Sequence, residues 1–131
     1  MTNEDGRRAT ALAQPQIGRS FIQLCMGEGG AQLNFTGDFG ITLESPVRIG
    51  PDSENPVLPY ALEGIALLLP LLNADVTAVH VSDNGALELT VGGTAIHCAP
   101  VAHFEAWNVA GPGGRLVVSL PSGGLAIWDA V

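Results

Sequence analysis

The chain of 131 residues contains no lysine. Its five cationic side chains, Arg7, Arg8, Arg19, Arg48 and Arg115, face thirteen carboxylates, for a formal net charge of −8. Without lysine there is no Schiff-base chemistry and no phosphate-loop ammonium. So negative a balance also excludes a nucleic-acid binder that works by neutralising phosphates and a polybasic membrane binder. Long apolar runs are lacking as well. The longest, Ile65 to Leu72, contains Pro70 and falls far short of the roughly 20 residues that cross a bilayer. No apolar segment follows Arg7-Arg8, so the N-terminus does not read as a secretory signal, and the expectation is a cytoplasmic protein. Cysteine is scarce: Cys25 and Cys98 stand far apart with no C-x-x-C spacing. That removes zinc-ribbon chemistry and leaves two buried thiols as the expected state in a reducing compartment.

What is present is apolar mass. Hydrophobic residues make up 47 % and charged residues 14 %, enough for one folded domain in which roughly 65–70 % of the unfolded surface is buried. Residues 1–16 have no periodicity and read as a flexible tail, leaving residues 17–131 as a single α+β domain. Within it, Phe21 to Met26 reads as a strand ending at the turn Gly27-Glu28-Gly29-Gly30. Ala31, Leu33 and Phe35, then Ile41 and Leu43, alternate with polar residues at period two, as half-buried strands do. After a stretch rich in Pro, Ser and Asn, the leucines from Leu58 to Leu72 fall at helical spacing. This predicts one helix at about residues 57–69, ended near Leu69 by Pro70. Its nearly all-round apolarity predicts burial.

The strand pattern then resumes through Val76 to Val81, Asp83-Asn84-Gly85 (a strong hairpin signal), Leu87 to Val91, and Thr94 to Cys98. Gly30-Ala31, Leu33, Phe35 and later Pro46 parallel Gly85-Ala86, Leu87, Leu89 and later Pro100. The expected fold is therefore an antiparallel, strand-rich α+β domain. Two similar three-stranded meanders, partly barrel-like, would pack around one central helix.

The chemistry-bearing residues are few. His80, His97, His103 and Glu105 are weak candidates for a metal site, since a metal needs three or four converging ligands and the spacing shows no such pairing. His97 and Cys98 are adjacent, so on a strand they point to opposite faces. His103 and Glu105 would share a face with Trp107. Ser122 lies in Pro121-Ser122-Gly123-Gly124, a composition that asks for a turn, and there is no G-x-S-x-G elbow around it. The carboxylates are placed singly at turns and on outer strand faces, which suits solubility first and the steering of a basic partner second. Trp107, Trp128, Glu88 and Glu105 are the interface candidates. No catalytic residue and no cofactor is assigned.

The C-terminal third carries the most specific pattern. Glu105-Ala106-Trp107, Gly111, Arg115 to Ser119, Leu120-Pro121-Ser122-Gly123-Gly124 and Trp128 resemble the ending of a small domain family of unknown function from high-GC bacteria. Its pattern is E-x-W, a glycine turn, a strand, and L-P-G-G-G-x-x-x-W. Ser122 stands where that pattern has glycine, so the resemblance implies a fold and supplies no catalytic serine. The functional expectation is a non-enzymatic protein-binding module, an immunity- or inhibitor-like partner of a basic protein. An enzyme or metal-binding protein using His103 and Glu105 with His80 or His97 is the alternative. A homodimeric structural or small-ligand-binding shell is a third.

Overall fold

The computed structural model describes residues 4–50 and 55–128. In chain order they form α1 (Glu4–Ala13), β1 (Phe21–Gly27), β2 (Gly30–Phe35), β3 (Phe39–Leu43), β4 (Val47–Ile49), α2 (Leu62–Leu68), β5 (Val76–Val81), β6 (Leu87–Val91), β7 (Thr94–Cys98), β8 (Trp107–Ala110), β9 (Leu116–Ser119) and β10 (Leu125–Trp128). Every strand pairing is antiparallel. The strands make two open sheets, one in the order β1-β2-β3-β8-β9-β10 and one in the order β4-β7-β6-β5. The period-two residues decide the layering. Ala31, Leu33, Phe35, Ile41 and Leu43 of the first sheet and Val47, Leu87, Leu89, Val91 and Ile96 of the second point inward and merge into one buried core.

The two halves of the chain are built alike. Each is a helix, a proline-containing 3-10 turn (Gln14–Gln16 or Leu69–Leu71), a three-stranded meander, and a fourth strand. In both halves the fourth strand leaves its own meander and pairs with the third strand of the other: β4 with β7, β8 with β3. Both first strands carry a bulge, between Phe21 and Gln23 and between Val76 and Ala78, at positions 55 residues apart. The halves meet where residues 18–21 cross residues 73–76. Gly18 N–H donates to Val76 O (2.8 Å) and Asn73 N–H to Phe21 O (2.7 Å). Phe21 N–H donates to Ala74 O and Val76 N–H to Arg19 O, both at 2.9 Å. Exchanging the halves maps this set of bonds onto itself, so the crossing lies on an internal two-fold axis. On that axis Ser20 and Asp75 form a bridge, and Ser20 Oγ donates to Asp75 Oδ1 at 2.6 Å. Gly18 and Asn73 enter the crossing with φ of 90° and 75°. Glycine, and asparagine among the few other residues, tolerate that left-handed turn.

Residues 4–13, read as part of a tail, form α1. Its buried face is Gly6, Ala9 and Ala13, side chains too small to give an apolar stripe in the sequence. Gly6 is required there, because a Cβ would meet Asp83 Oδ1 at 2.5 Å and Val81 O at 3.0 Å. The central helix is also shorter than the leucine spacing predicts. Residues before it are drawn into sheet pairing, with Val47 and Val57 exchanging N–H···O bonds at 2.8 Å. Pro70 falls in the 3-10 turn that follows Leu68, as its missing N–H requires. The helix is not enclosed by the strands, and the sheets do not close into a barrel.

One core position breaks the internal symmetry chemically. Gln16 is wholly buried, and neither its Nε2 nor its Oε1 has a hydrogen-bond partner. The residue 55 positions on is Leu71, also buried. Burying an amide without partners costs about 1–3 kcal/mol. The variant Gln16→Leu is therefore expected to raise the unfolding free energy by about 1–3 kcal/mol in urea titrations, and a decrease would contradict this account of the core.

Candidate functional site

The strand register decides where the chemistry-bearing side chains go. On the outer face of the four-stranded sheet, His80 of β5 lies opposite Glu88 of β6, Glu88 opposite His97 of β7, and His97 opposite Arg48 of β4. These four residues form one row across the sheet, with an imidazole on each side of the carboxylate and the guanidinium at the β4 end. The neighbouring positions on this face, Ala78, Ala95 and Ala99, are small and exposed. A shallow depression of about 170 Å³ opens at the Arg48 and His97 end, walled by Pro46, Pro56, Ala99 and Val101. At the other end His80 also borders a groove of about 540 Å³ between α1 and the β5–β6 turn, with Arg7, Thr10, Gln14, Ser82 and Asp83. α1 is fastened there by three bonds: Gly6 N–H to Asp83 Oδ1 at 3.2 Å, Val81 N–H to Thr10 Oγ1 at 2.9 Å, and Thr10 Oγ1 to Val81 O at 3.2 Å.

The remaining metal candidates do not join this row. His103 and Glu105 are exposed on the connection between β7 and β8, which becomes a strand only at Trp107. They therefore share no strand face with Trp107, contrary to the sequence pattern. Among the described residues, no three His, Cys, Asp or Glu side chains gather closely enough to hold a metal ion. Ser122 sits in a turn at φ 65°, its hydroxyl donating to Ala102 O at 3.3 Å.

The two tryptophans divide. Trp107, weighed as an interface anchor, is wholly buried, and its Nε1–H donates to Gly85 O at 2.9 Å. Ser119 Oγ donates to the same carbonyl at 2.9 Å, so the β5–β6 turn is tied to β8 and β9 through one backbone oxygen. Trp107 is a core residue. Trp128, on the edge strand β10, is 52 % exposed.

Among the described residues, the most exposed large apolar side chain belongs to the helix that the leucine spacing predicts to be buried. Leu62 of α2 is 84 % exposed, and Leu58 before it, Leu67 within the helix and Leu69 just after it are exposed as well. Only Gly64 and Leu68 of the helix are buried, and its one polar side chain is Glu63. The missed signal is apolarity on every side of a helix whose small domain already fills its core from two sheets, with no layer left to cover the outer face.

The cysteines also separate. Cys98 is fully buried, with Ser45 Oγ 3.1 Å from its Sγ. Desolvation by burial pushes its thiol up from 9.0 to about 11, against the lowering effect of the hydrogen bonds with Ser45. Cys25 is half-buried on β1. A thiol reagent should therefore modify one cysteine of the native protein and both after denaturation. Because the folded-state thiol holds its proton longer than the unfolded one, the folded state binds more protons between pH 9 and about 11. Stability should fall through that window by roughly 1.4 kcal/mol per pH unit, and Cys98→Ala should remove that part of the slope in urea titrations.

A family model described as a family of unknown function, DUF6188, matches residues 13–129. No curated protein and no solved structure matches the chain.

Proposed function

The chain belongs to the DUF6188 family, and from that premise we propose that it is a non-enzymatic protein-binding module that docks a basic partner on α2. The observation that carries this reading is the exposed leucine face of that helix, with Leu62 84 % exposed. Apolar patches left open on a small domain mark contact surfaces, and their energy is concentrated in a few central side chains. The net charge of −8 favours the partner's chemistry: a basic surface around an apolar ridge, drawn in by the long-range field and then seated on the leucines. An immunity- or inhibitor-like role fits that description, and action in the cytoplasm is part of the same proposal. No helix among the described residues is long and apolar enough to cross a membrane.

The reading is tested by affinity capture at low ionic strength with the wild-type chain and with Leu62→Asp. The wild type should retain a stoichiometric basic protein that raised salt releases. Leu62 makes few contacts within its own fold, so Leu62→Asp should unfold at the same temperature as the wild type. It should bind the captured protein at least about thirtyfold more weakly. Recovery of no stoichiometric protein, or of one held equally by Leu62→Asp, would overturn the reading.

A further inference from the structure

The two sheets have four edges, and at three of them another segment lies against the edge strand. The β5 edge is capped by Thr10 of α1, whose hydroxyl bonds both N–H and C=O of Val81. The β10 edge strand lies against α1, and β4 spans three residues and is bridged by Val57. The fourth edge is β1, the longest strand among the described residues. Its first residue, Phe21, is bonded to Asn73 and Ala74 at the internal two-fold crossing. Gln23–Gly27 continues beyond that crossing in unbroken register with β2.

The internal symmetry identifies which groups β1 leaves open. The two-residue turn makes Gly27 and Gly30 a mutually bonded pair, so Gly27, Cys25 and Gln23 bond to β2, while Leu24 and Met26 turn N–H and C=O to the edge. Val81, the counterpart of Met26, shows the same orientation, since its N–H reaches Thr10. In α2 the residue corresponding to Thr10 is Ile65, which has no hydroxyl to cap a strand. Exposed edges are normally guarded by lysine, other charges or proline. β1 has none of these, and the chain has no lysine. Ile22 and Met26, on this strand, are 55 % and 40 % exposed.

We propose that β1 is a self-pairing edge. Two copies of the chain join antiparallel, Gln23–Gly27 of one along Gln23–Gly27 of the other, and the six-stranded sheets run on as one. The occupant is a second copy because the strip is self-complementary in both bonding and charge. Pairing the bulge-free stretch over its whole length sets Leu24 of each copy against Met26 of the other, which satisfies the N–H and C=O groups of all four residues. On the inner face this places Leu24 beside Met26. From Ser20 to Gly27 there is no charged side chain, so two chains each carrying −8 meet along a neutral line. The register has one further consequence. Cys25 of each copy faces the other on the axis as a non-bonded pair, the closest spacing in an antiparallel ladder, with Cα atoms about 4.5 Å apart.

The wild-type chain should elute at twice the monomer mass in size-exclusion chromatography with light scattering. A short bis-maleimide should link it covalently through Cys25, with no link in Cys25→Ser, because Cys98 is buried. Met26→Lys, at a half-exposed position, should give a monomer with native circular dichroism. Cys25→Arg sets two like charges face to face and should also give a monomer. Mixing Cys25→Arg with Cys25→Glu should restore a one-to-one heterodimer. A wild-type monomer at high concentration would overturn the proposal, as would a dimer that Cys25 fails to link or that both charge variants leave intact. The interface lies on β1 and not on α2, so its failure leaves the docking reading of the leucine face standing.

Discussion

The constraint on which the structure depends is the crossing of residues 18–21 with residues 73–76. Four backbone hydrogen bonds and the Ser20–Asp75 pair hold the segment leading into β1 against the segment leading into β5. Each bond is worth only about 1 kcal/mol net, but together they fix the relative position of two meanders that would otherwise be separate. Beyond the crossing, β4 and β8 each pair with the third strand of the opposite half. The exchange makes each sheet depend on a strand from the other half, and neither meander has its fourth strand without its partner. The buried Phe21–Phe35 ring contact, at 5.5 Å between centroids, lies immediately beside the crossing.

The uncovered surfaces arise where the two halves stop matching. The β9–β10 hairpin extends only the first sheet, and α1 packs on both β5 and β10. α2 has no such cover, and its leucines stay in solvent. Likewise Thr10 closes the β5 edge, and its counterpart Ile65 has no means to close β1. A duplicated domain that was symmetric throughout would bury or expose both copies of each surface alike. Here one helix face and one strand edge remain open, and these are the two places proposed to meet other molecules.

The local pattern conveyed much of this. Period-two alternation located the strands, and Pro70 marked the end of the helix. The Gly30-Ala31 and Gly85-Ala86 likeness does not superpose in the fold, since Ala31 stands opposite Met26 and it is Leu87 that stands opposite the corresponding Val81. The local pattern failed where side chains are small or where partners are distant in sequence. α1 is built on Gly6, Ala9 and Ala13, which carry no apolar signal but allow close approach to the β5–β6 turn. Trp107 and Trp128 look equivalent in sequence, yet a carbonyl 22 residues away claims one of them for the core. The row of His80, Glu88, His97 and Arg48 was invisible for the same reason: register between strands is set by turns and core packing, not by spacing along the chain.

By itself, then, the sequence determined the absence of lysine chemistry, the negative charge and the strand periodicities, because each is a property of composition or of neighbours along the chain. Tertiary structure alone decided which sheet received β4 and β8, which tryptophan was buried, and which leucines and which strand edge were left uncovered. Burial depends on what else occupies the space around a residue. An apolar helix is buried only if another layer remains to cover it, and in this chain both sheets had already been spent on each other.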